Sequence, residues 1–190
     1  MRFEKGHKER TRRHIVDVAS RRFREDGAAA SGLAGIMAEA GLTNGAFYPH
    51  FKSKDALFEE AVATALADQQ ARLEEDNAAA PGIERAIRAY LDTSHLAGRA
   101  EGCPSAALLP EIARQPAAAR QSYTDGLSSY VATLASQLPD AGSPTAQQRA
   151  RAIFGLMVGT LQLARAVPDR RSAEEILAGG IEAALKLAIE

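Results

Sequence analysis

With 190 residues, 46% of them apolar, 25% charged and a formal net charge of −1, the chain can bury one large or two small cores. Helix formers dominate and no alternating run of Val, Ile, Thr and aromatics marks a strand, so an all-α fold is expected, and the longest apolar stretch, Ala152 to Ala164, is short of the roughly 18 residues of a membrane helix. A single cysteine, Cys103, excludes an internal disulfide framework and a cysteine-rich metal site; with no apolar leader at the N-terminus, a cytoplasmic protein without a membrane partner is expected.

Residues 1–55 carry 11 Lys and Arg against 7 Asp and Glu, whereas residues 56–190 carry 12 against 17. The basic character is local, with nine cations in the first 24 residues. That suits a phosphate-facing module joined to a body with another task. The first helix is expected from about Lys8 to Asp26, with Ile15, Val18, Ala19 and Phe23 inward, Arg12, Arg13, Arg21, Arg22 and Arg24 on other faces, and Gly27 as its stop. Ser31 is a candidate N-cap for a second helix carrying Leu33, Ile36 and Met37, which ends at Ala40 before Gly41.

The next stretch, Gly41 to Phe58, reads GLTNGAFYPHFKSKDALF. A turn at Gly41 followed by a short helix opening at Thr43, which can cap it, makes a helix-turn-helix pattern. Such a motif lays its second helix in the DNA major groove, the residues near its N-terminus reaching base edges. Here those are Thr43, Asn44 and Gly45: Asn pairs bidentately with adenine, Thr offers a hydroxyl and a methyl, and Gly admits close backbone approach. Pro49 has no N–H to give the carbonyl of Gly45 and biases Tyr48 away from helical geometry, so a tightened last turn is expected.

In the order and spacing of Gly41, Gly45, Tyr48, His50, Phe51, Lys54, Leu57 and Phe58, the chain resembles the TetR family of transcriptional regulators. The resemblance covers roughly residues 8–58. It implies an N-terminal three-helix DNA-binding domain, residues 1–52, and a C-terminal helical effector-binding and dimerisation domain, residues 53–190. It also implies that Tyr48 and His50 face the DNA backbone and that Lys54 contacts phosphate, completing an interface of Ser31, Thr43, Asn44, Gly45, Tyr48, His50 and Lys54. Where the family often has basic residues, this chain has Ala34 and Asn44, so Arg12, Arg13 and the N-terminal tail are expected to supply phosphate contacts. Phe47 and Phe51 are assigned to the core.

Ser53 is expected to cap a long helix from about Lys54 to Glu75, the mechanical link between module and body. Asn77 to Gly82 reads as a loop. Further helices are expected over Ile83 to Gly98, from Pro104 to Ala113, from Gln115-Pro116 to Leu138, and over Thr145 to Ala166 and Ser172 to Ile189. TetR-like proteins dimerise through their last two long helices. The implied interface comprises Ile153, Met157, Thr160, Leu161, Ala164, Ile176, Leu177, Ile181 and Leu185, with Gly155 and Gly159 letting a helix approach closely. The alternative is that this stripe is the protomer's own core.

A regulator of this kind needs an effector cavity, for which Tyr90, His95, Cys103, Tyr123, Tyr130, Phe154 and Met157 are candidates. Few charges fall on these inner faces, which points to a small, mainly apolar effector that releases a dimeric repressor from a palindromic double-stranded operator. Cys103, beside Pro104 at a helix start and near Arg99, offers an alternative, a thiol-based redox or electrophile sensor. The sequence holds no nucleotide-binding glycine loop, no metal-ligand cluster and no carboxylate or amide at a spacing that would orient a catalytic His, so neither enzyme activity nor a cofactor is expected. A helical protein–protein adaptor with a basic first helix is a third reading.

Overall fold

The computed structural model describes residues 5–189. Among them it contains helices and turns but no strand: α1 (Lys5–Asp26), α2 (Leu33–Glu39), a 3-10 turn (Asn44–Ala46), α3 (Lys54–Ala79), α4 (Ile83–Tyr90), α5 (Thr93–Ala97), α6 (Pro104–Ala113), α7 (Ala117–Ala135), α8 (Pro144–Ala166) and α9 (Arg170–Ile189). The expected single helix over Ile83 to Gly98 is two. Leu91 closes α4, and the Asp92 carboxylate accepts from the Ser94 amide at 2.7 Å, capping a new helix. The expected loop at Asn77 is helical through Ala79.

Two apolar clusters share α3. The N-terminal one gathers Ile15, Phe23, Ile36, Met37, Phe47 and Phe51 with Leu57, Phe58, Val62 and Leu66 of α3 and Leu108 and Ile112 of α6. The other begins at Leu73 and fills the space between α4, α7, α8 and α9. The core of the N-terminal module therefore runs beyond residue 52 into α3 and α6. The predicted Ser53 cap is present, its hydroxyl accepting from the Ala56 amide at 3.1 Å.

Pro110 sits inside α6 and cannot donate to the carbonyl of Ala106. Gln162 of α8 donates to that oxygen instead, at 3.2 Å, so a helix defect becomes an interhelical tie. At the α8–α9 crossing a Cβ on Gly180 would lie 2.3 Å from Thr160, so only glycine permits this approach.

Packing divides the residues expected at a dimer interface. Ile153, Met157, Thr160, Leu161, Ala164 and Leu177 are buried inside the protomer, while Ile176, Ile181 and Leu185 are half-buried. For the six buried residues the core alternative is the correct one, because α9 covers that face of α8. The opposite face of α8 presents Ala152, Gly155, Leu156, Gly159 and Leu163, the last 63% exposed. A Cβ on Gly155 or Gly159 would meet nothing within 4 Å.

Candidate nucleic-acid interface and effector cleft

The candidate DNA-facing tip is built by the end of α2. Gly41 adopts φ +68°, the left-handed conformation that glycine enters without strain. Its amide bonds to the Ala38 carbonyl at 3.0 Å, and the Leu42 amide bonds to the Met37 carbonyl at 2.8 Å. This paired closure is a Schellman motif, and it reverses the chain toward Thr43. The segment that follows is not an α-helix. One 3-10 turn (Asn44–Ala46) leads into further turns, held by the Phe47 amide on the Asn44 carbonyl and the His50 amide on the Phe47 carbonyl, at 3.2 and 2.9 Å. The tightening expected from Pro49 thus extends over the whole recognition segment, and the Thr43 side chain makes no capping bond.

Below the tip, Phe47 and Phe51 are buried with ring centroids 5.5 Å apart. Each contributes roughly 1.5–3 kcal/mol by burial. Above them Thr43, Asn44, Gly45 and Tyr48 are exposed, Tyr48 at 70%. His50 is half-buried, with its Nδ1 buried and unpartnered. Burial, then the Lys8 and Arg12 charges, lower its pKa, which places Lys8 in the same field as His50.

Three expected contacts take other roles. The Ser31 hydroxyl donates to the carbonyls of Arg22 and Gly27, at 3.0 and 2.8 Å; fully buried, Ser31 neither caps α2, whose N-cap is Gly32, nor reaches DNA. The Lys54 ammonium turns inward onto the Ala28 carbonyl, 6.0 Å from the Phe23 ring, and so ties α3 to the end of α1. Arg12 is a clamp: its guanidinium lies 4.2 Å over the Phe51 ring, pairs with Glu60 and donates to the His50 carbonyl. Lys8, Arg10, Arg13 and Lys52 remain exposed, Lys8 close enough for its charge to act on His50.

Behind the module lies a cleft of about 340 Å³ lined by α3, α4, α5, α7 and the segment 98–103. Of the seven expected pocket residues, Tyr90, His95, Cys103 and Tyr130 line it. Phe154 stands behind, its ring 5.0 Å from Tyr130 and 6.0 Å from Tyr90, and Met157 is core. Tyr123 lies elsewhere, against the N-terminal cluster, its hydroxyl 2.9 Å from the Ser105 hydroxyl. Sequence reasoning missed Gln69, Arg72, Leu73, Asp76 and Glu101. Gln69 had a legible signal, since it is a polar residue in the stripe Val62, Ala65, Leu66, Gln69, Leu73 that α3 buries.

His95 fixes the wall. Its Nδ1 is 2.7 Å from the Tyr90 carbonyl, an acceptor, so that nitrogen carries the proton; Nε2 accepts from the Cys103 amide at 2.9 Å. With both nitrogens committed, the ring cannot serve the Cys103 thiol as a base. Burial lowers the His95 pKa below its ordinary 6.5, the Tyr90 bond opposing and Arg165 reinforcing the shift. The unfolded chain therefore takes up the proton first as pH falls. Stability present above about pH 6.5 is lost below it. Urea midpoints at pH 7 and pH 5.5 are expected to differ less for His95→Gln than for the wild type.

The same wall is anchored to the DNA module. Arg24 of α1, only 7% exposed, donates from Nε to the Ala100 carbonyl at 2.5 Å and from Nη1 to the Ser20 hydroxyl at 2.9 Å, with Glu101 at 4.0 Å. Ser20 in turn donates to the Ala61 carbonyl of α3 at 3.1 Å. Gly98, Glu101, Gly102 and Cys103 of that segment line the cleft.

A Schellman turn that presents an exposed Thr-Asn-Gly-x-x-Tyr tip, on an all-helical body with its own cleft, is the architecture of a helix-turn-helix module on a larger helical body. Residues 15–61 match the family model "Bacterial regulatory proteins, tetR family". A Shigella flexneri protein, HTH-type transcriptional regulator AcrR, is 50% identical over 50 residues, 26% of this chain and 23% of that protein's length. The likeness to this family covers the N-terminal quarter of the chain, and the chain spans about a quarter of the length of the curated relative it matches. Similar folds occur in a Cytophaga hutchinsonii TetR-family regulator (TM-score 0.75, 18% identity, 99% of this chain and 100% of that one) and in reduced E. coli NemR (0.73, 22%, 90% and 95%). The fold of Bacillus subtilis FadR in complex with stearoyl-CoA is also similar (0.67, 20%, 93% and 97%). Among the described residues no helix is long and apolar enough to cross a membrane.

Proposed function

We propose that the protein is an effector-responsive repressor that binds a palindromic operator as a homodimer, with residues 1–52 as the DNA-facing part and the remainder as effector-binding and dimerisation body. The observation that carries this is the tip itself: Thr43, Asn44, Gly45 and Tyr48 are exposed on a turn held rigid from below by Phe47, Phe51 and Arg12. Asn44 and Thr43 read base edges, and Tyr48, His50 and Lys8 meet phosphates. Lys54 serves by positioning α3. A gel shift over the protein's own promoter region tests the reading. Binding is expected to weaken steeply between about 50 and 200 mM salt. Tyr48→Ala should lower affinity for all sequences alike, and Asn44→Ala should relax discrimination at one base pair by about 1–3 kcal/mol. No shift at low salt would favour the adaptor instead.

The effector would occupy the cleft behind α3. Displacing α3 or the segment 98–103, which Arg24 ties to α1, changes the separation of the two tips, and adjacent major grooves require about 34–36 Å. Dimerisation would use the exposed α8 face of Ala152, Gly155, Leu156, Gly159 and Leu163, with the half-buried Ile176 of α9 beside it.

A second reading rests on the position of Cys103. Cys103 lines the cleft at the α6 N-terminus but is only 2% exposed, so a small electrophile in the cleft would meet the thiol when the wall opens. Cys103→Ser is then expected to abolish release from DNA by peroxide or a quinone. An unchanged response in that assay removes the sensor and leaves the repressor.

A further inference from the structure

Two residues that line the cleft each carry a buried polar atom that no protein group satisfies. Gln69 and Tyr90 are 8% and 6% exposed, both line the cleft, and Gln69 Oε1 and Tyr90 Oη have no hydrogen-bond partner. Such atoms each cost about 1–3 kcal/mol unless a ligand supplies the partner. The Cys103 thiol acts on the Tyr90 hydroxyl, whose pKa burial raises first and Cys103 raises further, but a thiol is only a weak acceptor.

Charge does not select the ligand. The rim carries Arg72, Asp76 and Glu101, but Asp76 already faces Arg85 at 3.9 Å and Glu101 faces Arg24 at 4.0 Å. An anion would lie beside two carboxylates and a cation beside three guanidinium groups. Leu73, Ala86, Ala89 and the Tyr130 ring line the rest of the cleft and suit a flat apolar body. Its volume of about 340 Å³ is at the small end for ligand sites.

On the reading of this cleft as the effector site, we propose that its ligand is a compact, uncharged carboxamide on an aromatic or aliphatic body, its N–H donating to Gln69 Oε1 and its carbonyl accepting from the Tyr90 hydroxyl. This departs from the mainly apolar effector that the helix patterning implied. An apolar molecule fills the cleft but leaves both atoms bare.

Four probes of one shape separate the possibilities by calorimetry on the full-length protein: benzamide, acetophenone (acceptor without donor), benzoate and benzamidinium. Benzamide is expected to bind at least about tenfold more tightly than the other three, and Tyr90→Phe and Gln69→Leu should each weaken it about tenfold. Gln69→Leu should leave acetophenone unweakened. Equal or tighter binding of any of the other three, or no benzamide binding at about 10 mM, overturns the proposal. Should either variant lose its helical circular dichroism, the ranking on the wild type decides alone. Benzamide that binds without changing operator affinity keeps the ligand class and removes the effector reading. A wild-type protein that shifts no DNA removes the regulator reading independently of the ranking.

Discussion

Leu163→Glu is expected to convert the protein from dimer to monomer and to weaken operator binding by about two to four orders of magnitude, because each tip alone forfeits the effective concentration supplied by its partner. Leu163 is 63% exposed, so within one protomer the substitution places a carboxylate in water and should leave helical content and the urea midpoint nearly unchanged. In a dimer paired across this face, the same carboxylate would be buried among Leu156, Gly159 and their symmetry mates without a partner, at a cost of several kcal/mol. Gly155 and Gly159 leave open space where a Cβ would sit, so helices can pack there at backbone distance. Light scattering separates the outcomes. A Leu163→Glu protein that remains dimeric at micromolar concentration would move the interface elsewhere, and full operator affinity in a monomer would remove the two-tip geometry altogether.

The residues that sequence placed correctly and those it misplaced differ for a physical reason. The long helices, the Ser53 cap, the Gly41 turn and the burial of Phe47 and Phe51 follow from local chemistry and periodicity and are present, whereas the short helix expected from Thr43 is a 3-10 turn. Periodicity identifies an apolar stripe but not what covers it. The stripe of Ile153, Met157, Leu161 and Ala164 therefore fitted an interface as well as a core, until α9 proved to lie over it. Charge sign misled in the same way. Arg12, Arg24 and Lys54 each face a backbone carbonyl supplied by a distant segment, at His50, Ala100 and Ala28, and carbonyls leave no trace in composition. The cleft was half legible: its aromatic residues showed at helical spacing, whereas Arg72, Asp76 and Glu101 looked like ordinary solvated charges. Pro49 acted in the expected direction but over a longer span, because a segment of three or four turn-forming residues has no helical interior to resist it.

Arg24→Met carries the second large effect, on communication rather than on binding. The guanidinium is buried between Ser20 of α1 and the Ala100 carbonyl, and burial lowers its pKa while Glu101 opposes the shift. Methionine keeps the apolar stem and removes the donors. The Ala100 carbonyl is then unpaired, at a cost of about 1–3 kcal/mol, which a protein of ordinary stability survives. The segment 98–103 loses its polar tie to the DNA module, yet α3 and α6 still join module and body. Cys103, the one cysteine of the chain and 2% exposed, reports on that segment, since a thiol reagent reaches it only when the wall opens. In the free protein its modification should accelerate about tenfold or more in Arg24→Met. Coupling is reciprocal, so operator DNA should change the wild-type rate by about 5- to 150-fold and leave the Arg24→Met rate unchanged. An equal DNA effect in both proteins would assign the signal to the packing of α3 and α6 and leave Arg24 a purely structural clamp.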